Sequence, residues 1–158
     1  MRRAIAAGLV PIVILLISLG ASAEQASQSA HSDSNSPPAF SEADAVRLLD
    51  ELRRAFETDN RSRFLKAFDA KRMPGYAAFR DQVASFFARY GEFGVRYHVT
   101  QATMDGELGG AMADFEFDAQ PRDGVTPSIR RRVTLRLVCA WDGKQWKIAD
   151  LSPRNWLE

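Results

Sequence analysis

The sequence contains few of the residues that bind metals or cross-link chains. Cys139 is the only cysteine in 158 residues, which excludes an intrachain disulfide. His31 and His98 are the only histidines, and a zinc site built on Cys and His needs more ligands than these. The formal net charge of +1 argues against a nucleic-acid-binding protein, which usually carries a clear basic excess. A glycine-rich phosphate loop, a serine-nucleophile motif and a metal-ligand cluster are also missing, so we predict no metal and no cofactor.

The first 23 residues have the composition of an export signal. Arg2 and Arg3 precede an uncharged apolar run from Ala4 to Leu19, and the small residues Ala21-Ser22-Ala23 follow. This order is typical of a secretory signal peptide, and it predicts cleavage after Ala23. The alternative is an uncleaved membrane anchor, but the run has 16 residues where a spanning helix needs about 20. We therefore predict a periplasmic or secreted protein that meets the membrane only through its signal.

Two further stretches of the chain differ in composition. Residues 24–39 are rich in serine and proline and contain no large apolar side chain. Such a segment cannot bury enough apolar surface to offset the entropy lost on ordering, so we predict a disordered polar linker. Residues 40–158 carry regular apolar patterns and are predicted to form one folded domain.

Apolar residues at helical spacing predict helices at the start of this domain. Ser41 can cap the first helix, because Asp44 stands at the third helical position. Asp59 is the predicted cap of the second helix, and Gly91 and Gly94 are predicted to end the third. The predicted helices are Ser41 to about Glu57, Asn60 to Phe68 and Tyr76 to Tyr90.

Beyond Gly94 the apolar residues recur at every second position, which indicates β-strands. Asp105-Gly106 and Asp142-Gly143 favour hairpin turns, and a loop from Gln120 to Pro127 separates the second and third strands. The side chains predicted to face the helices are Val95, Tyr97, Val99, Ala111, Ala113, Phe115, Phe117, Val133, Leu135, Leu137, Cys139 and Trp141. The opposite side is predicted to be a solvated face of mixed charge, with Arg96, His98, Thr100, Asp114, Glu116, Asp118, Arg132, Thr134 and Arg136. Helices followed by four antiparallel strands predict the α+β class.

The order of elements and the C-terminal hairpin resemble the nuclear transport factor 2-like superfamily. The segment Trp141 to Leu151 reads WDGKQWKIADL, and many members end with a hairpin of this form. The resemblance covers about Phe40 to Leu157. It implies three N-terminal helices packed on a curved four-stranded antiparallel sheet, the cystatin-like cone of this superfamily. Members include isomerases, dehydratases, epoxide hydrolases, polyketide cyclases and small binding domains, so the fold does not give the function.

Enzymes of the superfamily place ionisable side chains on the concave face of the sheet, where apolar surroundings shift their pKa values. Asp150 follows Trp146 at a period of two, which predicts a place at the inner edge of the sheet and makes it a candidate general base. Tyr97 and Asp69 are the other candidate catalytic residues. For Asp69 we prefer a structural interpretation, in which it caps the turn at Ala70-Lys71.

Other reactive residues are interpreted as structural. His98 could pair with Asp114, but the strand period places it on the outward face. Cys139 lies in an apolar strand and is predicted to be a small buried hydrophobe. Arg130-Arg131-Arg132 is the only basic run, and alternate members of a strand point to opposite faces, so it does not form one patch.

Tyr76, Tyr90, Phe115 and Trp146 are the candidate ligand-binding residues, although aromatic residues at this spacing usually form core. One hypothesis is a non-catalytic exported domain that binds a small apolar ligand or a protein partner. It is supported by the apolar character of the inner face.

The alternative is a small hydrolase, isomerase or dehydratase that uses Asp150 as general base. It predicts an open pocket around Asp150 of roughly several hundred Å³. Large residues that fill the cone would contradict it, namely Trp141, Trp146, Phe115 and Phe117. The charged outer face argues against an obligate apolar dimer, and a polar or transient homodimer is a third alternative.

Overall fold

Helix α1 begins where the sequence places a cap. It spans Glu42–Glu57 in the computed structural model, which describes residues 36–158. The Asp44 N–H donates to Ser41 Oγ at 3.3 Å, and the Ser41 N–H donates to the Asp44 carboxylate at 3.0 Å. This reciprocal pair is a capping box, and it confirms the predicted start of the helix. The predicted signal peptide, its cleavage after Ala23 and the linker as far as residue 35 lie outside the described residues.

The second helix is shorter than predicted. Helix α2 spans Arg61–Lys66, and its cap is Asn60, whose side-chain oxygen accepts the Arg63 N–H at 2.8 Å. The prediction that Asp59 caps this helix is wrong. Its backbone is left-handed, with φ of 50°, and its carboxylate forms an ion pair with Arg122.

The third helix continues into the sheet without a loop. Helix α3 spans Tyr76–Arg89, and strand β1 spans Tyr90–Asp105, so the strand begins earlier than the sequence predicts. Gly91 and Gly94 therefore lie inside the strand rather than ending the helix. Gly94 is needed for close approach, because a Cβ there would lie 2.8 Å from an Asp118 carboxylate oxygen.

Four antiparallel strands form one sheet in the order β1-β2-β3-β4. The predicted turns are confirmed, with positive φ at Gly106 (57°) and Gly143 (95°). The remaining strands are β2 at Leu108–Pro121, β3 at Ile129–Trp141 and β4 at Trp146–Ser152. Residues next to α2 extend the β4 edge, since the Ile148 N–H donates to the Ala67 carbonyl at 2.9 Å.

The predicted alternation of the strands is confirmed. Eight of the twelve inward residues are buried, and Tyr97, Val99, Val133 and Trp141 are half-buried against the same core. The helices cover this face, with α1 packed on β1 and α2. Among residues 36–158, no helix combines the length and the apolar character needed to cross a bilayer.

Candidate functional site

Aromatic side chains fill the space between the helices and the inner face of the sheet. Phe56 of α1 is fully buried, and its ring centroid lies 5.0–6.2 Å from those of seven other aromatic residues. These are Phe64, Phe86, Phe87, Phe93, Phe115, Phe117 and Trp156. Aromatic pairs at such distances contribute about 0.5–1.5 kcal/mol each beyond the burial of their area. In the described part of the chain, no Asp, Glu, His, Lys or Arg side chain is buried in this interior.

The residues predicted to line a ligand pocket belong to this packed interior or to its margin. Phe115 and Trp146 are buried, as is Tyr90, while Tyr76 is half-buried against the core. Trp146 meets the ring of Phe40 edge-on, with centroids 5.1 Å apart. These rings pack mostly against other parts of the protein. Only those at the margin of the core could therefore contact a ligand.

Tyr97 is tied to helix α1. Its hydroxyl donates to the Asp50 carboxylate at 2.8 Å and lies 3.3 Å from the Val46 carbonyl oxygen. Burial, together with the neighbouring carboxylate, raises the pKa of Tyr97 to about 12. The hydrogen bond from Tyr97 also lowers the pKa of Asp50, with help from Arg53. A carboxylate with a lowered pKa is a weaker base, so this pair is suited to joining β1 to α1 rather than to proton transfer.

Asp150 does not lie where a period of two predicts. Cys139 pairs with Ile148 across β3 and β4, but Val138 pairs with Asp150. The extra residue between these pairs, Ala149, is a β-bulge. The bulge turns Asp150 to the outer face that Val138 occupies, so the predicted position at the inner edge is wrong.

The Asp150 carboxylate is engaged by its own segment of chain. It accepts hydrogen bonds from Arg154 and from the Leu151 N–H, both at 2.7 Å. The Asp150 and Arg154 side chains are 40% and 42% exposed, so this ion pair is open to solvent. This carboxylate is bound to Arg154, is open to solvent and lies on the outer face, so it is not placed to act as a general base in the apolar interior.

Asp69 and His98, two other polar candidates, also lie outside the aromatic interior. The Asp69 carboxylate accepts the backbone N–H groups of Lys71 at 2.9 Å and Arg72 at 3.2 Å, and so caps the turn. His98 is exposed on the outer face, where it pairs in register with Asp114. Neither residue faces the aromatic interior as part of a convergent set.

The arginine run and the cysteine lie as the strand pattern predicts. Arg130 and Arg132 point outward to Glu116, at 3.6 and 2.7 Å, whereas Arg131 donates to the Trp156 carbonyl at 3.5 Å. Cys139 is fully buried, and burial raises the pKa of its thiol to about 12. Within residues 36–158, no three His, Cys, Asp or Glu residues are arranged to hold a metal ion.

The outer face of the sheet contains an apolar region that the sequence-based prediction did not include. Leu108 is 46% exposed and Met112 is 37% exposed. Gly110 lies between them on β2 and pairs with Val138 of β3. We call Leu108, Gly110, Met112 and Val138 the outer patch. A hollow of about 410 Å³ lies over it, and the polar side chains of Gln101 and Thr103 also line this hollow. Thr103 lies beside Gly110, where a Cβ would be 2.9 Å from its Oγ1.

Charges of opposite sign lie on the two sides of the outer patch. Asp105 of β1 pairs in register with Leu108, and Arg136 of β3 pairs with Met112. Neither forms an ion pair with any other residue in the described part of the chain. Elsewhere on the outer face Glu116 pairs with Arg130 and Arg132, whereas Arg96 and Asp118 have no ion pair within residues 36–158.

A second surface feature is a groove between α1, α2 and the β3–β4 hairpin. Its volume is about 510 Å³, and Leu48, Ala67 and Trp146 contribute buried apolar side chains to its lining. The indole N–H of Trp146 is buried and has no acceptor within the described residues. A buried donor without a partner costs about 1–3 kcal/mol, so this one is a notable feature of the lining.

Positive charge dominates the walls of this groove. Four lining side chains are cationic and one, Glu51, is anionic. Three of the cations have carboxylate partners: Arg47 with Asp44 at 2.9 Å, Arg63 with Glu51 at 3.0 Å and Lys147 with Asp142 at 3.7 Å. Lys66 has no ion pair with any residue of the described range 36–158.

Comparison with solved structures places this architecture among known folds. A ketosteroid isomerase-like protein from Erwinia carotovora atroseptica is 11% identical with a TM-score of 0.56, over 69% of this chain and 91% of that one. A nuclear transport factor 2-like protein of unknown function from Shewanella oneidensis is 10% identical with a TM-score of 0.50, over 69% of this chain and 94% of that one. The chain has the nuclear transport factor 2-like fold.

Enzymes as well as uncharacterised proteins share this fold. A type 2 hexachlorocyclohexane dehydrochlorinase is 11% identical, with a TM-score of 0.53 over 69% of this chain and 80% of that one. No protein-family model matches the sequence, and no curated protein matches it. At these identities the nuclear transport factor 2-like fold is shared, and the function has to be argued from the residues of this chain.

Proposed function

We propose that this chain is a non-catalytic domain that binds another protein through the outer patch. The observation that carries the proposal is the contrast between its two sheet faces. The inner face, where an enzyme of this fold would need a cavity with ionisable groups, is packed with aromatic rings around Phe56. The outer face instead exposes Leu108 and Met112, which lie four residues apart on β2 with Gly110 between them. Contiguous exposed apolar side chains on a soluble protein commonly mark an interaction site.

The enzymatic alternative rests on the dehydrochlorinase and the isomerase-like protein that share the fold. It needs an open pocket around Asp150. Three of the four residues whose packing would contradict it, Phe115, Phe117 and Trp146, are buried, and the Asp150 carboxylate binds Arg154 at 2.7 Å. These observations favour the binding function. They also favour a protein partner over a small apolar ligand, because the interior is occupied by the protein's own rings.

The occupant we propose for the outer patch is a second copy of this chain. In a twofold dimer the same surface meets itself, so each margin must complement the margin that faces it. The outer patch meets this condition, with unpaired Asp105 on one side and unpaired Arg136 on the other. Asp105 lies at the level of Leu108 and Arg136 at the level of Met112, so a twofold axis that crosses the strands obliquely between them brings Asp105 of one copy over Arg136 of the other. The patch is small, so we expect a weak dimer rather than an obligate one.

Sedimentation equilibrium of the purified chain tests this proposal. Replacing both Leu108 and Met112 with Gln should weaken dimerisation at least about thirtyfold, since two apolar contacts at the centre of an interface, worth about 1 kcal/mol each, make about 2 kcal/mol. Val125 is 88% exposed in the loop after β2 and gives the matched control, so Val125→Gln should leave the dimer unchanged. A wild-type chain that stays monomeric at millimolar concentration, or an equal effect of the control, would contradict the proposal.

A further inference from the structure

The groove between α1, α2 and the β3–β4 hairpin lies apart from the outer patch and has the features of a small-molecule site. Its volume of about 510 Å³ falls within the range of roughly 300–1,000 Å³ that ligand pockets occupy. It combines buried apolar side chains, polar side chains such as Asn60 and Gln145, and cations. Sites that bind small ligands typically have such an apolar lining with a few polar groups that fix the orientation.

The charged side chains of the groove indicate the sign of the charge on the ligand. Arg47, Arg63 and Lys147 are held by carboxylates, which fixes their positions and reduces their net attraction for a ligand. Lys66 differs, because it lines the same groove and has no carboxylate partner in residues 36–158. A strongly hydrated ammonium group at the wall of a cleft is a point charge that an anion can approach from solvent.

The apolar side chains that line the groove indicate the uncharged part of the ligand. Trp146 lines the groove with a buried indole whose N–H has no acceptor among the described residues. That N–H has almost no accessible surface, so Trp146 contributes apolar ring surface rather than a hydrogen-bond donor to the lining. Leu48 and Ala67 add apolar surface beside it. The lining is therefore suited to an apolar body that carries an anionic group.

We infer that this groove binds a small amphiphilic organic anion, with its carboxylate or sulfonate at Lys66 and its apolar body against Leu48, Ala67 and Trp146. This inference goes beyond the proposed function, because it concerns a different surface and a different class of ligand. A loss of dimerisation would leave it intact, and a loss of anion binding would leave the dimer intact.

Fluorescence titration with a matched pair of probes tests the inference. The probes are 8-anilinonaphthalene-1-sulfonate, which carries an anionic group, and N-phenyl-1-naphthylamine, which has the same aromatic skeleton without it. We expect the sulfonate to bind the purified full chain more tightly than the neutral probe, by up to about fivefold, which is the most that one charge contact at an exposed site gives. Its binding should weaken in roughly 0.5 M NaCl, because the Debye length falls to about 4 Å.

Two lysine variants locate the binding. Lys66→Gln should weaken the sulfonate about fivefold, and Lys66→Arg should retain binding because it keeps the charge. Lys144→Gln is the matched control, since Lys144 is exposed on the same hairpin but does not line the groove. Melting temperatures within about 2 °C of wild type would show that the variants fold.

Three results would overturn the inference. The first is equal weakening by Lys66→Gln and Lys144→Gln, which would show that only net charge matters. The second is equal affinity for the neutral and the anionic probe, which would show a purely apolar site. The third is the absence of sulfonate binding at millimolar concentration. The double variant of Leu108 and Met112 should bind the sulfonate normally, and a loss there would place the probe on the outer patch instead.

Discussion

Replacing Phe56 with alanine tests whether the interior is a packed core or a latent ligand cavity. Phe56 is fully buried and contacts seven other aromatic residues through their rings. Truncation of a buried Phe to Ala typically costs about 3–5 kcal/mol, and this central position predicts the upper half of that range. A domain of this size is stable by about 5–15 kcal/mol, so the variant should lose about a quarter or more of its free energy of unfolding.

The loss can be measured by urea unfolding and by the melting temperature. At about 4 °C per kcal/mol for a domain of this length, the melting temperature should fall by roughly 16–20 °C. Phe56→Leu keeps most of the side-chain volume and should cost about 1–1.5 kcal/mol. Val125→Ala removes methyl groups from an exposed loop residue and should change stability by less than about 0.5 kcal/mol.

Benzene separates the two descriptions of the interior. Apolar cavities of about 150 Å³ made by truncating a core residue can bind benzene. We therefore expect saturating benzene to raise the melting temperature of Phe56→Ala and not that of the wild type, because only the variant has space for it. A loss below about 1 kcal/mol in the variant, or stabilisation of the wild type by benzene, would refute the description of a filled interior.

Three further predictions follow from individual contacts. Tyr97→Phe should lower the free energy of unfolding by about 1 kcal/mol at pH 7. This is the value of a hydrogen bond to a charged group, reduced because the pair is partly exposed to solvent. Tyr97 lowers the pKa of Asp50 in the folded chain, so the stability difference between wild type and variant should be fully present above the ordinary pKa of Asp. It should shrink as the pH falls through the lowered pKa of Asp50 in the folded state. Urea unfolding at pH 7 and at low pH would measure this change. Cys139 should resist 5,5′-dithiobis(2-nitrobenzoate) at pH 8 in the native chain and react once unfolded, since its pKa is about 12 and it is buried; rapid native reaction would contradict its core position. N-terminal sequencing of the chain expressed with its predicted signal should begin at Glu24, and an intact Met1 would favour the membrane anchor.

Sequence signals that act over a few residues predicted the fold well. The Ser41–Asp44 capping box works through neighbouring backbone groups, and the Asp-Gly turns at residues 105–106 and 142–143 are equally local. Strand alternation predicted which side chains are buried, because a one-residue slip would have buried charge. The second helix was mispredicted at its start, where Asn60 rather than Asp59 supplies the cap.

Features of the site that depend on pairing between distant segments were harder to predict. The bulge at Ala149 changes the face of Asp150, and a strict period of two contains no sign of it. The contact between Tyr97 and Asp50 joins residues 47 positions apart and depends on how α1 lies on the sheet. The outer patch did leave a signal, because Met112 stands at an outward position among charged residues.

The contact between β4 and the segment after α2 limits how these chains can aggregate. Ile148 exchanges backbone hydrogen bonds with that segment, donating to Ala67 at 2.9 Å and accepting from Asp69 at 2.8 Å. An incoming strand therefore cannot pair along the middle of β4, and β1 is the other edge of the sheet. Growth of a fibre by edge pairing requires two open edges on every chain, one to join and one to extend. With one edge blocked, edge-to-edge addition ends at a pair of chains, which protects this domain against polymerisation at high local concentration.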